Sequence, residues 1–270
     1  MRKRLLSGML FFCLLPTPSF AGAWLQKEDK GLVVMNTVYY SAGHYFDNKG
    51  EKRAQPLFTK QELNPYIEYG YSERWTFGTN LSFERNHSAN SPTSPEQTSW
   101  GMGDSEFFAR TPIYEGHGFM VSFEPQIKLP SPTPQKASNN IGSKHVDFGP
   151  SIGIGRGFDF AGYHHYINLD SSYRHRSGNP GDQIRFGATA GIQVAERIEL
   201  LPQFFLTYRT SSNNTGFSQS SGDDYNLSKI QFSTLYHFDD FSVQAGAFSN
   251  IAGVNTGDGY GGMLALWRRF

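Results

Sequence analysis

The chain ends with the stretch Gly259 to Phe270, GYGGMLALWRRF, in which apolar side chains occupy alternate positions. One alternating set contains Tyr260, Leu264, Leu266 and the final Phe270, and Arg268 is its charged member. Residues two apart project from the same side of a β-strand, so the pattern predicts a strand with one apolar and one polar face. The same period of two runs through most of the chain upstream.

The clearest upstream segment runs from Phe119 to Leu129, where the odd-numbered residues are apolar. In the segment 32–45 the pattern does not show which side of the strand is apolar, and in 163–176 the alternation is less strict. The other alternating segments are 62–71, 75–84, 101–114, 146–154, 184–194, 200–209, 230–238 and 241–247. With the closing stretch they give about twelve strands of roughly ten residues, the even number typical of a transmembrane barrel.

Connections of two kinds separate these strands. Short turns, such as 72–74 and 196–197, alternate with long polar loops at 86–99, 130–144 and 211–224. Aromatic residues flank the short turns, and rings of this kind favour a membrane–water interface. They are Tyr69, Tyr71 and Trp75; Tyr114 and Phe119; Phe158, Phe160 and Tyr163; and Tyr236, Phe238 and Phe241.

The predicted fold class is therefore all-β, a transmembrane antiparallel up-and-down β-barrel of about twelve strands. A soluble β-sandwich is the alternative, but a sandwich would not sort its loops by length.

The first residues have the pattern of a secretory signal peptide. Three cationic residues at 2–4 precede an apolar run over 5–15, and Ser19 and Ala21 stand at small-residue cleavage spacing. We expect a signal peptide over 1–21 and a barrel domain over 22–270. The chain's single cysteine, Cys13, lies in the leader, so the mature protein would have no disulfide or thiol chemistry.

Composition agrees with a barrel. The whole chain has 24 Lys+Arg and 24 Asp+Glu, and loss of the three cationic leader residues leaves a net charge of −3. This is not the basic composition of a nucleic-acid-binding protein. Aromatic residues reach 15% although the mean hydropathy is only −0.48. After the leader, no apolar run approaches the roughly 20 residues of a transmembrane helix.

Several segments resemble known outer-membrane proteins. The closing strand resembles that of bacterial outer-membrane β-barrels, whose last residue, here Phe270, is recognised by the barrel-insertion machinery. The motifs NTVYYS at 36–41, ELNPYIEYG at 62–70 and GDSE at 103–106 resemble the outer-membrane barrel family labelled meta-pathway of phenol degradation. That resemblance covers nearly the whole mature chain. It implies passage of small, often aromatic compounds through a barrel, and it does not imply an enzyme that degrades phenol.

The polar faces of the strands carry the residues that we expect to line a pore. Acidic residues predominate on the second to fifth strands and basic residues on the seventh to ninth, which lie on opposite walls of a twelve-stranded ring. The two walls of opposite charge would set an electric field across the pore, and this field would favour polar or anionic-aromatic solutes. The alternative, that these charges pair across strands and fill the lumen, stays open. The predicted residues are Glu62, Glu68, Glu84, Asp104, Glu106, Arg110, Glu124, Lys128, Asp147, Asp170, Arg174, Arg185, Glu199 and Arg209.

Catalytic and metal patterns are weak. His164 and His165 are adjacent on a strand and project to opposite faces, so they cannot share a metal. The Gly-rich run at 153–157 lacks the following helix of a phosphate loop, and small inward residues of a barrel wall explain it better. No cofactor is implied.

His175 and Ser177 form a sharper candidate, because outer-membrane phospholipase A is also a twelve-stranded barrel with a His-x-Ser pair. A histidine can activate such a serine if a third group orients it, but the sequence places no such group. A hydrated strand end and turn is the favoured interpretation of these two residues.

The predicted function is an outer-membrane channel for passive passage of small solutes, including aromatic or polar compounds. An outer-leaflet lipid hydrolase is one alternative. Another is a structural or adhesive barrel whose lumen is filled by Tyr66, Phe108, Met120, Tyr166 and Phe205. Expected partners are outer-membrane lipid and lipopolysaccharide, the insertion machinery and small-molecule solutes, with no nucleic acid. We expect both termini to be periplasmic.

Overall fold

The computed structural model describes residues 22–90, 95–134, 140–178, 180–210 and 224–270. The predicted signal peptide, 1–21, and positions 211–223 of the predicted third loop lie outside the described residues. The described chain is all β. Its strands are β1 (Gly31–Phe46), β2 (Lys52–Ser72), β3 (Trp75–Asn80), β4 (Phe83–Ser88), β5 (Gln97–Met102), β6 (Ser105–Gly116), β7 (Phe119–Leu129), β8 (Asp147–Phe160), β9 (Tyr163–Arg176), β10 (Gln183–Ala195), β11 (Ile198–Arg209), β12 (Asn226–His237), β13 (Ser242–Val254) and β14 (Thr256–Arg269).

These segments close into one antiparallel barrel. β1 pairs on one side with β2 and on the other with β14, so the sheet meets itself. The backbones of Gly31 and Phe270 exchange both of their hydrogen bonds, at 2.9 and 3.1 Å. The predicted antiparallel barrel of about twelve strands is confirmed, because β3 with β4, and β5 with β6, are two halves of single strands.

The two interrupted strands have a local cause. Pro65 on β2 has no backbone N–H, so it accepts a bond from Leu81 N at 2.9 Å but returns none. The ladder is broken opposite this proline, between β3 and β4. The next strand is interrupted at the same level, between β5 and β6, where Gly103 N donates to Ser82 O at 2.7 Å. Alternation of side chains does not reveal such breaks.

Connections at the two ends of the barrel differ in length. The short turns lie at the end that carries both Gly31 and Phe270, which we call the terminal end. The turn from β6 to β7, for example, has positive φ at His117 (52°) and Gly118 (78°), the two-residue geometry that suits a twisted hairpin. The longer connections lie at the opposite end, the loop end.

One connection departs from the expected alternation of short turns and long loops. A turn over 255–259 was expected, but β13 and β14 are joined at the loop end by Asn255 alone. Asn255 has φ 54°, a left-handed conformation that asparagine tolerates. Its side-chain amide donates to Asp224 O at 3.3 Å, which stabilises the tight connection.

The two faces of the wall differ as predicted. Large apolar side chains such as Phe123, Ile152 and Leu264 are exposed on the outer face. On the inner face the same strands carry Ser122, Ser151 and Ala265. A ring of exposed apolar side chains around a polar interior fits a wall that contacts lipid. Among the described residues, no helix is long and apolar enough to cross a membrane.

Candidate functional site: the barrel interior

The segment before β1 lies inside the barrel. Ala23 is fully buried, and its backbone N–H donates to Asn168 Oδ1 on β9 at 2.8 Å. Trp24 packs edge-on against Tyr166, with 5.6 Å between ring centroids. We call residues 23–26 the inner segment.

Glycines on β8 make room for the inner segment. A Cβ on Gly153 would lie 3.1 Å from Ala23 Cα, and one on Gly155 would lie 2.6 Å from the Trp24 ring. The Gly-rich run at 153–157 is therefore explained by close approach of this segment, in line with the small inward residues expected there. The segment itself has no periodic pattern of apolar residues.

A buried ionic network holds the inner segment to the wall. Arg110 on β6 donates to Glu68 Oε1 on β2 and Glu124 Oε2 on β7, each at 2.8 Å, and to Trp24 O at 3.0 Å. Gln26 Nε2 donates to Glu68 Oε2 at 2.6 Å. The Arg110 side chain is 2% exposed, so all its charge is compensated by protein groups rather than by solvent.

Apolar side chains pack together in the interior at the terminal end. A buried apolar cluster includes Tyr66 and Tyr166, and Trp24 and Phe108 pack against it. Met120 is also buried. The buried cluster consists of Leu32, Val34, Tyr66, Tyr166, Leu201, Leu235, Ala265 and Trp267. Four of the five residues named as possible lumen fillers thus lie in this half of the barrel, and the fifth, Phe205, lines a cavity nearer the middle.

Two polar cavities lie in the interior between the middle of the barrel and the loop end. The outer cavity, about 660 Å³, lies at the loop end, and the middle cavity, about 430 Å³, lies beneath it. Their linings share Tyr40, Lys60, Asn64, Lys229 and Asn250, so the two spaces adjoin. Polar interior space therefore runs from the loop end to the middle of the barrel, and the inner segment lies beyond it.

Most predicted pore residues around the outer cavity form ion pairs. Lys128 lies 3.0 Å from Asp104 and 2.9 Å from Asp147. Arg174 on β9 reaches across to Glu106 on β6 at 2.7 Å. On the other wall, Lys60 pairs with Glu62 at 2.7 Å and with Glu84 at 3.3 Å. All of these contacts except Lys60–Glu62, which lies within β2, are cross-strand pairs of the kind left open by the sequence, and they reduce the expected field across the lumen.

Two interior cations differ from the others. Among the described residues, no carboxylate lies within ion-pair distance of Arg185 or Lys229. Arg185 Nη2 donates to Gln183 Oε1 at 3.0 Å. Lys229 Nζ lies over the rings of Phe205, at 4.5 Å, and Phe248, at 5.3 Å. Arg185 lines the outer cavity, and Lys229 lines both cavities.

The other predicted pore residues are dispersed. Glu199 is buried at the terminal end, 3.4 Å from His237 Nε2. Asp170 lies beside Gly187 on the wall between β9 and β10. Arg209 is at the loop end, where its Nη1 donates to Asp224 O at 3.3 Å. The fourteen predicted residues are thus distributed over the inner network, the cavities and both ends of the barrel.

His175 and Ser177 are not arranged as a catalytic pair. Ser177 Oγ accepts a hydrogen bond from Val146 N at 3.0 Å, and no hydrogen bond joins it to His175 in the described chain. His175 Nδ1 lies 3.1 Å from Asp182 Oδ1. Partial burial would raise the pKa of Asp182, but hydrogen bonds from Tyr173, the Arg176 backbone and His175 hold that pKa below its usual value. The carboxylate thus anchors the β9–β10 connection.

The two adjacent histidines also have separate partners. His164 Nδ1 lies 2.9 Å from Asp159 Oδ1, and His165 Nε2 lies 3.0 Å from Phe160 O. Within the described ranges, no group of three or more His, Cys, Asp or Glu side chains is placed to hold a metal ion.

Comparison with known proteins supports the fold. No protein-family model matches the sequence, and no curated protein matches it. Among solved structures, the chain is similar to the COG4313 outer membrane channel from Pseudomonas putida F1, with TM-score 0.74 and 14% identity over 94% of this chain and 100% of that one. It is also similar to the NanC porin, with TM-score 0.54 and 10% identity over 87% and 97% of the two chains. At these identities the similarity establishes a shared barrel fold.

Proposed function

We propose that this protein is an outer-membrane channel for passive passage of small solutes. The observation that carries the proposal is the pair of adjoining polar cavities, which run inward from the loop end inside a wall with an apolar outer face. A membrane-spanning barrel with a polar interior favours transport over a structural role. The solved channels and porins with this fold are consistent with it.

The inner segment would set the conductance of this channel. We infer that it forms the narrowest part of the solute pathway, because it lies inside the barrel beyond the middle cavity with Trp24 packed on Tyr166. We infer a small pore that admits ions and small solutes. The resemblance to the phenol-pathway family implies small aromatic compounds as solutes, and we include such compounds in the proposal.

The proposed setting is the outer membrane with both termini in the periplasm. Lipid and lipopolysaccharide would contact the outer face, and the insertion machinery would recognise Phe270, which is exposed at the end of β14. Hydrolysis of lipid is not part of the proposal, since Ser177 Oγ is engaged with Val146 N rather than with a base.

Single-channel recording in planar bilayers tests the proposal. We expect a small conductance for the unmodified protein and a larger one for Trp24→Ala, because loss of the indole widens the narrowest part of the pathway. Trp100→Ala is the matched control, since Trp100 is 79% exposed on the outer face, and it should conduct like the unmodified protein. Absence of current in both the unmodified protein and Trp24→Ala would favour a filled, non-conducting barrel.

A further inference from the structure

Lys229 is an interior cation with an unusual environment. It projects from β12 between Phe205 on β11 and Phe248 on β13, with its ammonium 4.5 and 5.3 Å from the two ring centroids. The other lysine of the middle cavity, Lys60, has two carboxylate partners. Within the described residues Lys229 has neither a carboxylate partner nor a protein hydrogen-bond acceptor. Its N–H groups therefore remain available to a molecule in the cavity.

The Tyr40 hydroxyl of the same cavity is also available. The Tyr40 hydroxyl accepts a bond from Asn250 Nδ2 at 3.3 Å and retains its own proton to donate. The Tyr40 ring is stacked on Phe248, with an interplanar angle of 4°. An unpaired cation and a free hydroxyl donor in one cavity are characteristic of a binding site rather than of a packed core.

We propose that the middle cavity binds aromatic monocarboxylates, an inference that rests on the proposed channel function for access to the cavity. Lys229 holds the carboxylate through charge-assisted hydrogen bonds. Phe205 and Phe248 pack against the aromatic ring, and the Tyr40 hydroxyl meets a polar substituent on it. A small hydrated anion would gain nothing from the two phenyl rings, so the site favours a ring-bearing carboxylate.

Arg185 provides the approach to this site. It is a second cavity-lining cation without a carboxylate partner in the described chain, and it lines the outer cavity. An anion that enters from the loop end meets Arg185 first and Lys229 next, since Lys229 lines both cavities. The remaining basic residues of the outer cavity are engaged in ion pairs, so these two cations are the ones free to contact an anion along the path.

The test combines calorimetric binding with current block, using benzoate as the probe. The refolded protein in detergent should bind benzoate, and benzoate should reversibly block the single-channel current. Lys229→Met should weaken binding by about tenfold or more, and Lys229→Arg should restore most of it. Lys49→Met, in the exposed β1–β2 connection, is the matched control and should bind like the unmodified protein. Gel mobility before and after heating shows that each variant is folded.

Ligand comparisons decide the chemical class. Benzoate should bind more tightly than acetate or cyclohexanecarboxylate, and Phe205→Leu should reduce that preference while leaving acetate binding unchanged. Equal binding of acetate and benzoate, or tighter binding of glucuronate than of benzoate, would overturn the assignment to aromatic carboxylates. A conducting protein that does not bind benzoate contradicts this inference alone, whereas benzoate binding by a non-conducting barrel contradicts only the channel.

Discussion

At the scale of single residues, the interior depends on charges whose partners lie far away in sequence. Arg110 bonds to Glu68, 42 residues earlier, and to Glu124, 14 residues later. The alternation of side chains placed all three on the inner face. It could not pair them, because the distance across a barrel depends on its closed shape rather than on spacing along one strand.

Arg110→Ala should be one of the most destabilising single substitutions in the barrel. It leaves the buried carboxylates of Glu68 and Glu124 uncompensated, which costs about 3–5 kcal/mol. The urea midpoint of the protein refolded into phospholipid vesicles should fall accordingly. Arg197→Ala breaks an exposed pair with Asp239 and should cost about 0–1 kcal/mol. Equal effects of the two variants would show that the inner network is hydrated and stabilises little.

Lys229 shows a different limit of sequence interpretation. The predicted pore residues belong to clusters of like charge on neighbouring strands, whereas Lys229 is a single cation on β12. What distinguishes Lys229 is its surroundings, since it lies between two phenyl rings from neighbouring strands. The alternation of side chains identified Phe205 as an inward residue, but it could not show that Phe205 contacts a lysine.

At the scale of elements, strands were predicted well and the inner segment was not. The strand over Phe119–Leu129 was predicted within its observed bounds, because period two is set by backbone geometry alone. The inner segment has no regular structure and hence no period. Its indirect signal in the sequence is the set of small residues on β8, which leave space in the wall without showing what fills it.

Cysteine labelling tests how the inner segment is seated. Cys13 lies in the predicted leader, so Ala23→Cys would give the mature protein a single thiol. Ala23 is fully buried, and we expect this thiol to react slowly with a maleimide. Adding Gly155→Leu should expose it and raise the rate at least about tenfold, since a side chain at 155 would collide with Trp24.

Gly162→Leu is the control for this experiment. Gly162 lies in the turn from β8 to β9, with nothing near its Cβ position, so any effect there comes from the turn and not from the inner segment. Fast labelling of Ala23→Cys without a second substitution would mean that the inner segment leaves the barrel readily.

At the scale of the whole molecule, the barrel has opposite requirements on its two surfaces. The outer face exposes Phe123, Ile152 and Leu264, which would be unfavourable in water and is favourable in lipid. This division followed from the sequence because each strand repeats it. The apolar cluster and the inner segment in the terminal half of the lumen did not follow, since inward aromatic residues are compatible with both an open and a closed interior.

A charge on the outer face should be costly in proportion to its depth. Ile152→Arg, near the middle of β8, should destabilise the folded protein in vesicles by about 2–4 kcal/mol. Tyr71→Arg, beside a turn at the terminal end, should cost about 0–1 kcal/mol, because the side chain reaches the interface. Urea titration of both variants measures the difference. Equal costs at the two positions would contradict a membrane-embedded middle of the barrel.

The position of the inner segment also constrains the order of assembly. Ala23 bonds to Asn168, 145 residues further along the chain, and Trp24 rests on strands that are synthesised long after it. Contacts with such large sequence separation form late, because the intervening chain must first be organised. The part of the mature protein that is translated first therefore reaches its final place after much of the wall exists. Until then the nascent barrel has a more open interior than the finished one.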